Sequence, residues 1–488
     1  MRILRKSRET LEILCRPEDL SIRIGDYLII REGEWRLIAQ AVDISYADLP
    51  GILEDLLRDL TVEELGGRTV IDPYNVSSLA LALRETRVLV AKIRGIARGN
   101  QVETNPAWLP SRFGATIGSA SLNDVLEFIK DPGDLKIHLG SAMNEPFHIS
   151  GRSLDGSLTI ITGKKESGKS HIAKLIVEGL ATHGATVIVF DVNGEYVNLD
   201  RKSTGRESIL ARCLKVLKPG ITLRTSLQQM GLKCFLDILE HVYGTPPTSC
   251  RELARIWHSI ARNGRGLTLA ALMDAIMKQP INESVKEALV SRLQSIMNTG
   301  IISDENEPTP IEDYLKQNAC GNVIVIDLSP LLPSTRRLTV EYMLTTLSTL
   351  LTTNKIRPIF LMAEEAHLYL RETYWEDIVT RMRHLGIFPI FITNQPDTIP
   401  ELVYRQADNI FLFNFSNDSD LERLSKISRV DAETVKIIGK TLPPRHCLLL
   451  GKMVSDIPLV LAVRKSDLTT MGATKLFFTA VNITQVQR

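Results

Sequence analysis

Two stretches of this chain carry residues whose types and spacing suit phosphoryl chemistry. Gly163-Lys164-Lys165-Glu166-Ser167-Gly168-Lys169-Ser170, followed by His171, has the G-x-x-x-x-G-K-[ST] spacing of a phosphate-binding loop. In such a loop backbone N–H groups curl around the α- and β-phosphates. Lys169 reaches the β- and γ-phosphates of ATP, and the Ser170 hydroxyl reaches Mg²⁺. An apolar run at 158–161 precedes the loop and a helical pattern through Ile172, Leu175 and Ile176 follows it, the strand–loop–helix context that such a site requires. Lys164, Lys165 and Glu166 are bulky for such a loop. Glu166 brings a carboxylate near the phosphates, so it is expected to point away or to meet Lys165.

The second stretch is Ile359-Phe360-Leu361-Met362-Ala363-Glu364-Glu365-Ala366-His367, an apolar strand ending in two adjacent carboxylates. One acid can hold the Mg²⁺ shell and the next can orient and deprotonate an attacking water. Glu364 is assigned to the metal with Ser170, and Glu365 to the base. A competing strand ends in Asp327 without a following acid, so Asp327 reads as structural or secondary. Asp191, in Asp191-Val192-Asn193-Gly194-Glu195-Tyr196, ends another strand beside the loop; a turn-forming role and a catalytic one are equally good readings. Asn394 or Gln395, after the run at 387–392, offers an amide to sense the γ-phosphate. Arg381 and Arg383, before Gly386, are candidates for an arginine that reaches a neighbouring subunit.

These residues need a scaffold. Apolar runs at 158–161, 186–190, 322–326, 358–362, 387–392 and 409–413 are continuous rather than alternating. Strands buried on both faces read this way, and they imply a parallel α/β sheet with ligands at its carboxyl edge. A helical insert is expected at 226–318, with one helix capped by Asn282, carrying Val285, Leu289, Leu293 and Ile296 on one face, and ended by Gly300. Residues 1–110 read as a small β-barrel domain, with runs at 27–30, 37–44 and 87–97, a turn at Glu32-Gly33-Glu34, and more helical text at 52–60 and 77–83 after Pro50-Gly51. Residues 111–150 connect, with short strands near 137–140 and 146–149; 151–470 form the nucleotide domain, with another apolar run at 458–463, and 471–488 a tail.

Composition narrows the class. Fifty-eight basic and 57 acidic residues give a formal charge of +1, so any nucleic-acid surface must be local. Six cysteines lack C-x-x-C spacing, which fits a reducing, cytoplasmic setting. No apolar run is long enough to cross a bilayer; the best candidate, 342–354, reads as a core helix.

Taken in order, the phosphate loop, Asp-x-x-Gly-Glu-Tyr, Ile-Asp-Leu-Ser, Glu-Glu-Ala-His and Arg-x-x-Gly before Thr-Asn-Gln-Pro resemble the HerA family of ring ATPases, of the HerA/FtsK group of DNA-pumping motors. The resemblance covers the chain to about residue 465. It implies a RecA-like domain with a helical insert behind an N-terminal β-barrel, a homohexamer, ATP and Mg²⁺ as cofactors, and double-stranded DNA as the translocated partner. It also implies a nuclease of the NurA type as protein partner, and favours Arg383 as the trans-acting arginine. Glu166, Glu364 and Thr-Asn-Gln-Pro depart from the family pattern and point to a divergent paralogue. Arg201, Lys202 and Arg206 are the candidate DNA-contacting residues. The alternative is a nucleotide-dependent scaffold ring for another effector, as in anti-phage defence.

Overall fold

The computed structural model describes residues 1–7, 9–15, 22–47, 86–99, 101–103, 108–129, 133–262, 266–304, 307–316, 321–370, 375, 377–415, 417, 420–421, 424 and 430–469. The expected helical text at 52–60 and 77–83, the Pro50-Gly51 turn, Cys320 and the tail lie outside them. The chain divides into two compact units. One gathers 1–132, 140–147 and 412–462; the other gathers 133–139, 148–411 and 463–488.

The first unit is built on an antiparallel sheet in the order Arg2–Lys6, Thr10–Cys15, Arg87–Arg98, Trp35–Tyr46, Tyr27–Glu32, Thr116–Ser119, with Gln101–Glu103 paired to Arg87–Arg98. Period-two alternation sends Leu11, Ile13, Leu28, Ile30, Leu37, Ala39, Leu89 and Ala91 into one core. The expected barrel is a half-barrel among the described residues, with Arg2–Lys6 and Thr116–Ser119 at its two edges. Gly33, at φ 58°, makes the tight turn between two of its strands. The later segment adds a helix, Ala432–Thr441, and an antiparallel pair, His446–Gly451 with Leu459–Val463.

The second unit carries the parallel sheet. Its strands are β1 (Thr159–Thr162), β2 (Thr186–Asp191), β3 (Leu214–Leu217), β4 (Asn322–Asp327), β5 (Ile359–Glu364) and β6 (Ile387–Thr393), ordered β3-β4-β2-β5-β6-β1. Every residue of β1, β4, β5 and β6 is buried, which is why these runs do not alternate. The four-residue edge strand β3 escaped the sequence reading, because Leu-Lys-Val-Leu is too short to carry a period.

Helix α1 (Lys169–Thr182) follows β1 directly. The insert holds α2 (Leu227–His241), α3 (Pro247–Arg262), α4 (Leu269–Lys278) and α5 (Glu283–Met297). In α5 the Asn282 side chain accepts the Ser284 N–H as the cap, and Leu289, Leu293 and Ile296 are buried; Val285 is only partly so. The core helix expected at 342–354 is the longer α6 (Pro333–Thr352), which begins with proline at a position where its missing N–H costs nothing. Among the described residues no helix is long and apolar enough to cross a membrane.

Candidate nucleotide site

The loop after β1 has the conformation that its glycines allow. Gly163 and Gly168 have φ of 156° and 117°, and Gly168 caps α1 in the left-handed region. Glu166 is also left-handed, at φ 61°, with an exposed side chain, so this residue takes a backbone shape that glycine holds at lower cost. Lys164 and Lys165 are exposed, while Ser167 and Lys169 are buried. Ser170 and His171 stand partly buried in the first turn of α1.

Lys169 folds back into the loop, its Nζ donating to the Gly163 and Lys164 carbonyls at 2.8 Å each. Burial pushes its ammonium down to about 8, against the pull of Glu365, Glu364 and Glu195. A buried cation satisfied only by neutral carbonyls is one that phosphate oxygens would hold better.

The carboxyl edge of the sheet brings the acids together. Glu364 closes β5 at 3% exposure, and burial, then Glu195 and Asp191, push its carboxyl well above the usual range. Glu365 follows in a left-handed conformation, φ 46°, with its N–H bonded to the Ile392 carbonyl at 2.8 Å. That shape is costly for a residue with a Cβ and turns the chain sharply at the second acid. His367 Nδ1 stands 3.6 Å from Glu365 Oε2. The Tyr369 hydroxyl donates to the Glu364 carbonyl at 3.0 Å.

Several polar atoms here are buried with no hydrogen-bond partner: Thr162 Oγ1, Ser167 Oγ, Glu195 Oε2, Glu364 Oε2, Glu365 Oε2 and Asn394 Oδ1. Buried polar atoms are nearly always paired, so such a group at one sheet edge marks a place for a polar ligand. Thr162 lies opposite Thr393 in the β1–β6 register, so Asn394 begins the loop beside Gly163. Its partly buried amide with an orphaned oxygen, against an exposed Gln395, separates two residues that the sequence left equal.

Two aspartates are already occupied. The Asp191 carboxylate accepts the Glu195 and Tyr196 N–H groups at 3.0 and 2.8 Å, closing the turn after β2. Burial raises its pKa and these bonds oppose the rise. Asp327 accepts the Ser329 N–H and hydroxyl at 3.1 and 2.6 Å. Both geometries are those of turn-holding residues.

The arginines differ from each other. Arg383 precedes β6, donates to the Gly156 carbonyl at 3.0 Å and pairs with Asp408 at 3.2 Å. It lines a cavity of about 510 Å³ with Gly156, Thr380, His384 and Gln406, at the amino ends of β1 and β6, away from the phosphate loop of its own chain. The Arg381 side chain is 73% exposed, with Asp377 3.8 Å away. Arg201, Lys202 and Arg206 lie in a hairpin-like loop closed by the Lys202 N–H on the Arg206 carbonyl.

Sequence reasoning missed Lys174 and Glu195 as site residues. Lys174 is fully buried in α1 with its Nζ 4.0 Å from Glu195 Oε2. The available signal was a lysine inside the apolar text of α1, four residues after Ser170.

The chain has relatives among known proteins. The family model "Helicase HerA, central domain" matches residues 161–347. The "DNA double-strand break repair helicase HerA" of Sulfurisphaera tokodaii is 20% identical over 385 residues, covering 74% of each chain. That of Sulfolobus acidocaldarius is 21% identical over 474 residues, covering 91% of this chain and 89% of its own. Among solved structures, the bacterial conjugative coupling protein TrwB superposes with a TM-score of 0.50 at 12% identity, covering 72% of this chain and 93% of its own, a likeness of fold. The matched central domain and the two relatives, which align with most of its length, make the chain similar to HerA helicases at a divergent level of identity.

Proposed function

We propose that the chain is an ATP-hydrolysing, double-stranded-DNA translocase that works as a homohexameric ring, with a nuclease as partner in DNA end processing. The observation that carries the ATPase part is the buried Lys169 surrounded by Glu195, Glu364 and Glu365, with unpaired buried acceptors at the carboxyl edge of the sheet. The DNA and nuclease parts rest on the HerA relatives, which are named as double-strand break repair helicases.

ATP fits the residues present: the loop N–H groups and Lys169 would take its phosphates, and residues 163–171 form its cradle. Magnesium fits only together with the nucleotide. Among the described residues no cluster of three or more His, Cys, Asp or Glu side chains could hold a metal alone, so Ser170 and Glu364 would share the ion with phosphate oxygens. Bound there, Mg²⁺ supplies charge neutralisation on the β- and γ-phosphates. Glu365 orients water and takes its proton, and Asn394 donates its amide to the γ-phosphate. Asp191 keeps the turn that presents Glu195.

The ring supplies an arginine in trans. Both candidates stand at the sheet end remote from their own loop, as a residue serving a neighbour must. The exposed Arg381 has the reach, and Arg383 is engaged within its own chain. A heterologous interface closes such a ring. The near-neutral chain is consistent with DNA contacts confined to a few loop residues repeated around a pore, Arg201, Lys202 and Arg206 in each subunit.

The test is the ATPase rate across a titration of double-stranded DNA at low salt. Stimulation is expected, with DNA affinity falling steeply as salt rises. A flat rate at saturating DNA overturns the translocase reading in favour of a scaffold ring. Lys169→Ala should abolish ATP binding by calorimetry; unchanged binding removes the site assignment itself.

A further inference from the structure

We propose that Lys174 and Glu195 act as one positioning pair, in which the buried ammonium holds the Glu195 carboxylate beside Lys169 and Glu364. The proposal rests on the ATPase reading above and adds two residues to it. Lys174 lies four residues, about one helical turn, beyond Ser170 on α1, and helical side chains lean back toward the amino terminus. Its ammonium is therefore carried toward the loop. Nothing of Lys174 is exposed; its Nζ is 4.0 Å from Glu195 Oε2 and 5.6 Å from the centre of the Tyr196 ring. Glu195 in turn is fixed through its backbone, since its N–H is bound to Asp191. Its Oε2 is buried and without a hydrogen bond, so the carboxylate is located by charge and by the turn.

Glu195 and Glu364 act on both lysines: Lys169 feels Glu365, Glu364 and Glu195, and Lys174 feels Glu195 first, then Glu364 and Asp191. Burying an ion pair is expensive, and replacing the whole pair by apolar side chains of similar size is often neutral or stabilising, whereas removing one partner destabilises by leaving the other charge unpaired. Stability alone therefore gives no reason for a charged pair at positions 174 and 195. What the charge does is offset the mutual repulsion of Glu195 and Glu364, which would otherwise drive the Glu195 side chain out toward water. A displaced carboxylate at the phosphate end leaves nucleotide binding nearly intact and misplaces the groups that act in hydrolysis.

The experiment is a double-mutant cycle on the full chain with Lys174→Met, Glu195→Gln and both together. Each single change should lower kcat by about tenfold to a hundredfold, the scale of a small misplacement in an active site. KM for ATP should stay within about threefold. The double mutant should be no slower than the worse single, because the pair acts as a unit. Thermal midpoints of the nucleotide-free proteins supply the second readout: Lys174→Met, which leaves Glu195 unpaired, should melt below the parent, and adding Glu195→Gln should recover part of that loss without recovering kcat. A purely structural lysine would give the lower midpoint with kcat per folded chain unchanged. Losses in kcat that multiply, or a wild-type kcat in either single, overturn the proposal. If Lys174→Met does not fold, the isosteric Glu195→Gln decides: unchanged kcat overturns, and a loss with retained KM supports. Failure of the underlying reading looks different, since the parent protein would then bind no ATP.

Discussion

Each unit has a partly or fully buried carboxylate facing cations, and the two are treated in opposite ways. In the first unit Asp431 caps the helix Ala432–Thr441 and meets Lys92 and Arg94 from the strand Arg87–Arg98. It also accepts the Thr434 N–H and hydroxyl at 2.8 and 2.9 Å. Burial raises its pKa, but Lys92, Thr434 and Arg94 together outweigh burial and hold the carboxyl well below the usual range. Lys92 is shifted up in return, its bonds to Asp431 and Glu433 overcoming burial. In the second unit Glu364 has the opposite shift, upward, with an oxygen that no donor satisfies. A saturated carboxylate belongs to the fold. An unsaturated one at a sheet edge, kept beside other acids at a cost in stability, belongs to a ligand.

The largest expected effect concerns the arginine that the proposed ring would bring to the second site from outside. Arg381→Ala should cut hydrolysis by about a thousandfold if it serves as an arginine in trans. Activity should return in part when these subunits are mixed with Glu365→Gln subunits, each inactive alone. Recovery with Arg383→Ala instead would move the role two residues downstream; no recovery, in rings shown to exchange, would make both arginines internal.

Next comes the base. Glu365→Gln should keep ATP affinity and lose about 10²- to 10⁴-fold in kcat, since an amide does not take a proton. Asp327→Asn should cost much less in rate, because Asp327 is spent on Ser329. Single-turnover kinetics of the two variants check this, and the reverse ranking would move the base to β4.

The smallest effect breaks the comparison from the first unit's side. Asp431→Asn should cost about 1–2 kcal/mol of stability, discounted because the side chain is partly solvated, and leave kcat per folded chain alone. The pH sign follows from the downward shift. The Asp431 contribution is fully present above the unfolded pKa of about 3.9 and fades as pH falls below it toward the lower folded value. Lys92 adds the opposite limb: its contribution is complete below about pH 10.4 and fades as pH rises through the raised folded value. Denaturant melts of parent and variant across acid pH should therefore converge as the medium becomes more acidic. A constant gap would mean that the carboxylate charge does not carry the interaction.

Much of the second unit was legible because its signals are local. The glycines of 163–168 determine a loop shape, continuous Val/Ile runs require burial on both faces, and Asn282 announces a cap within four residues of sequence. In the first unit the runs at 27–30, 37–44 and 87–97 were readable through their apolar density. The strands Arg2–Lys6 and Thr10–Cys15 were not, because charged residues interrupt them and the pair joins the sheet only through Thr10–Cys15 and a strand more than seventy residues away.

The amino-acid sequence by itself determined the phosphate loop, the two acids at the end of β5, the buried parallel strands and the helical insert, since each depends on a short periodicity or on a motif whose geometry is local. Only the tertiary structure decided which acids are available. Asp191 and Asp327 end buried strands just as Glu364 does; the sequence set Asp327 lower for want of a following acid and left the role of Asp191 open. They part because neighbouring turns donate N–H and hydroxyl groups to the two aspartates and leave Glu364 Oε2 without one. It decided likewise that Asn394 lies inward and Gln395 outward, that Arg383 is tied down while Arg381 is exposed, and that Lys174 meets Glu195. Each depends on groups far apart in the chain whose desolvation is shared only once the sheet has formed.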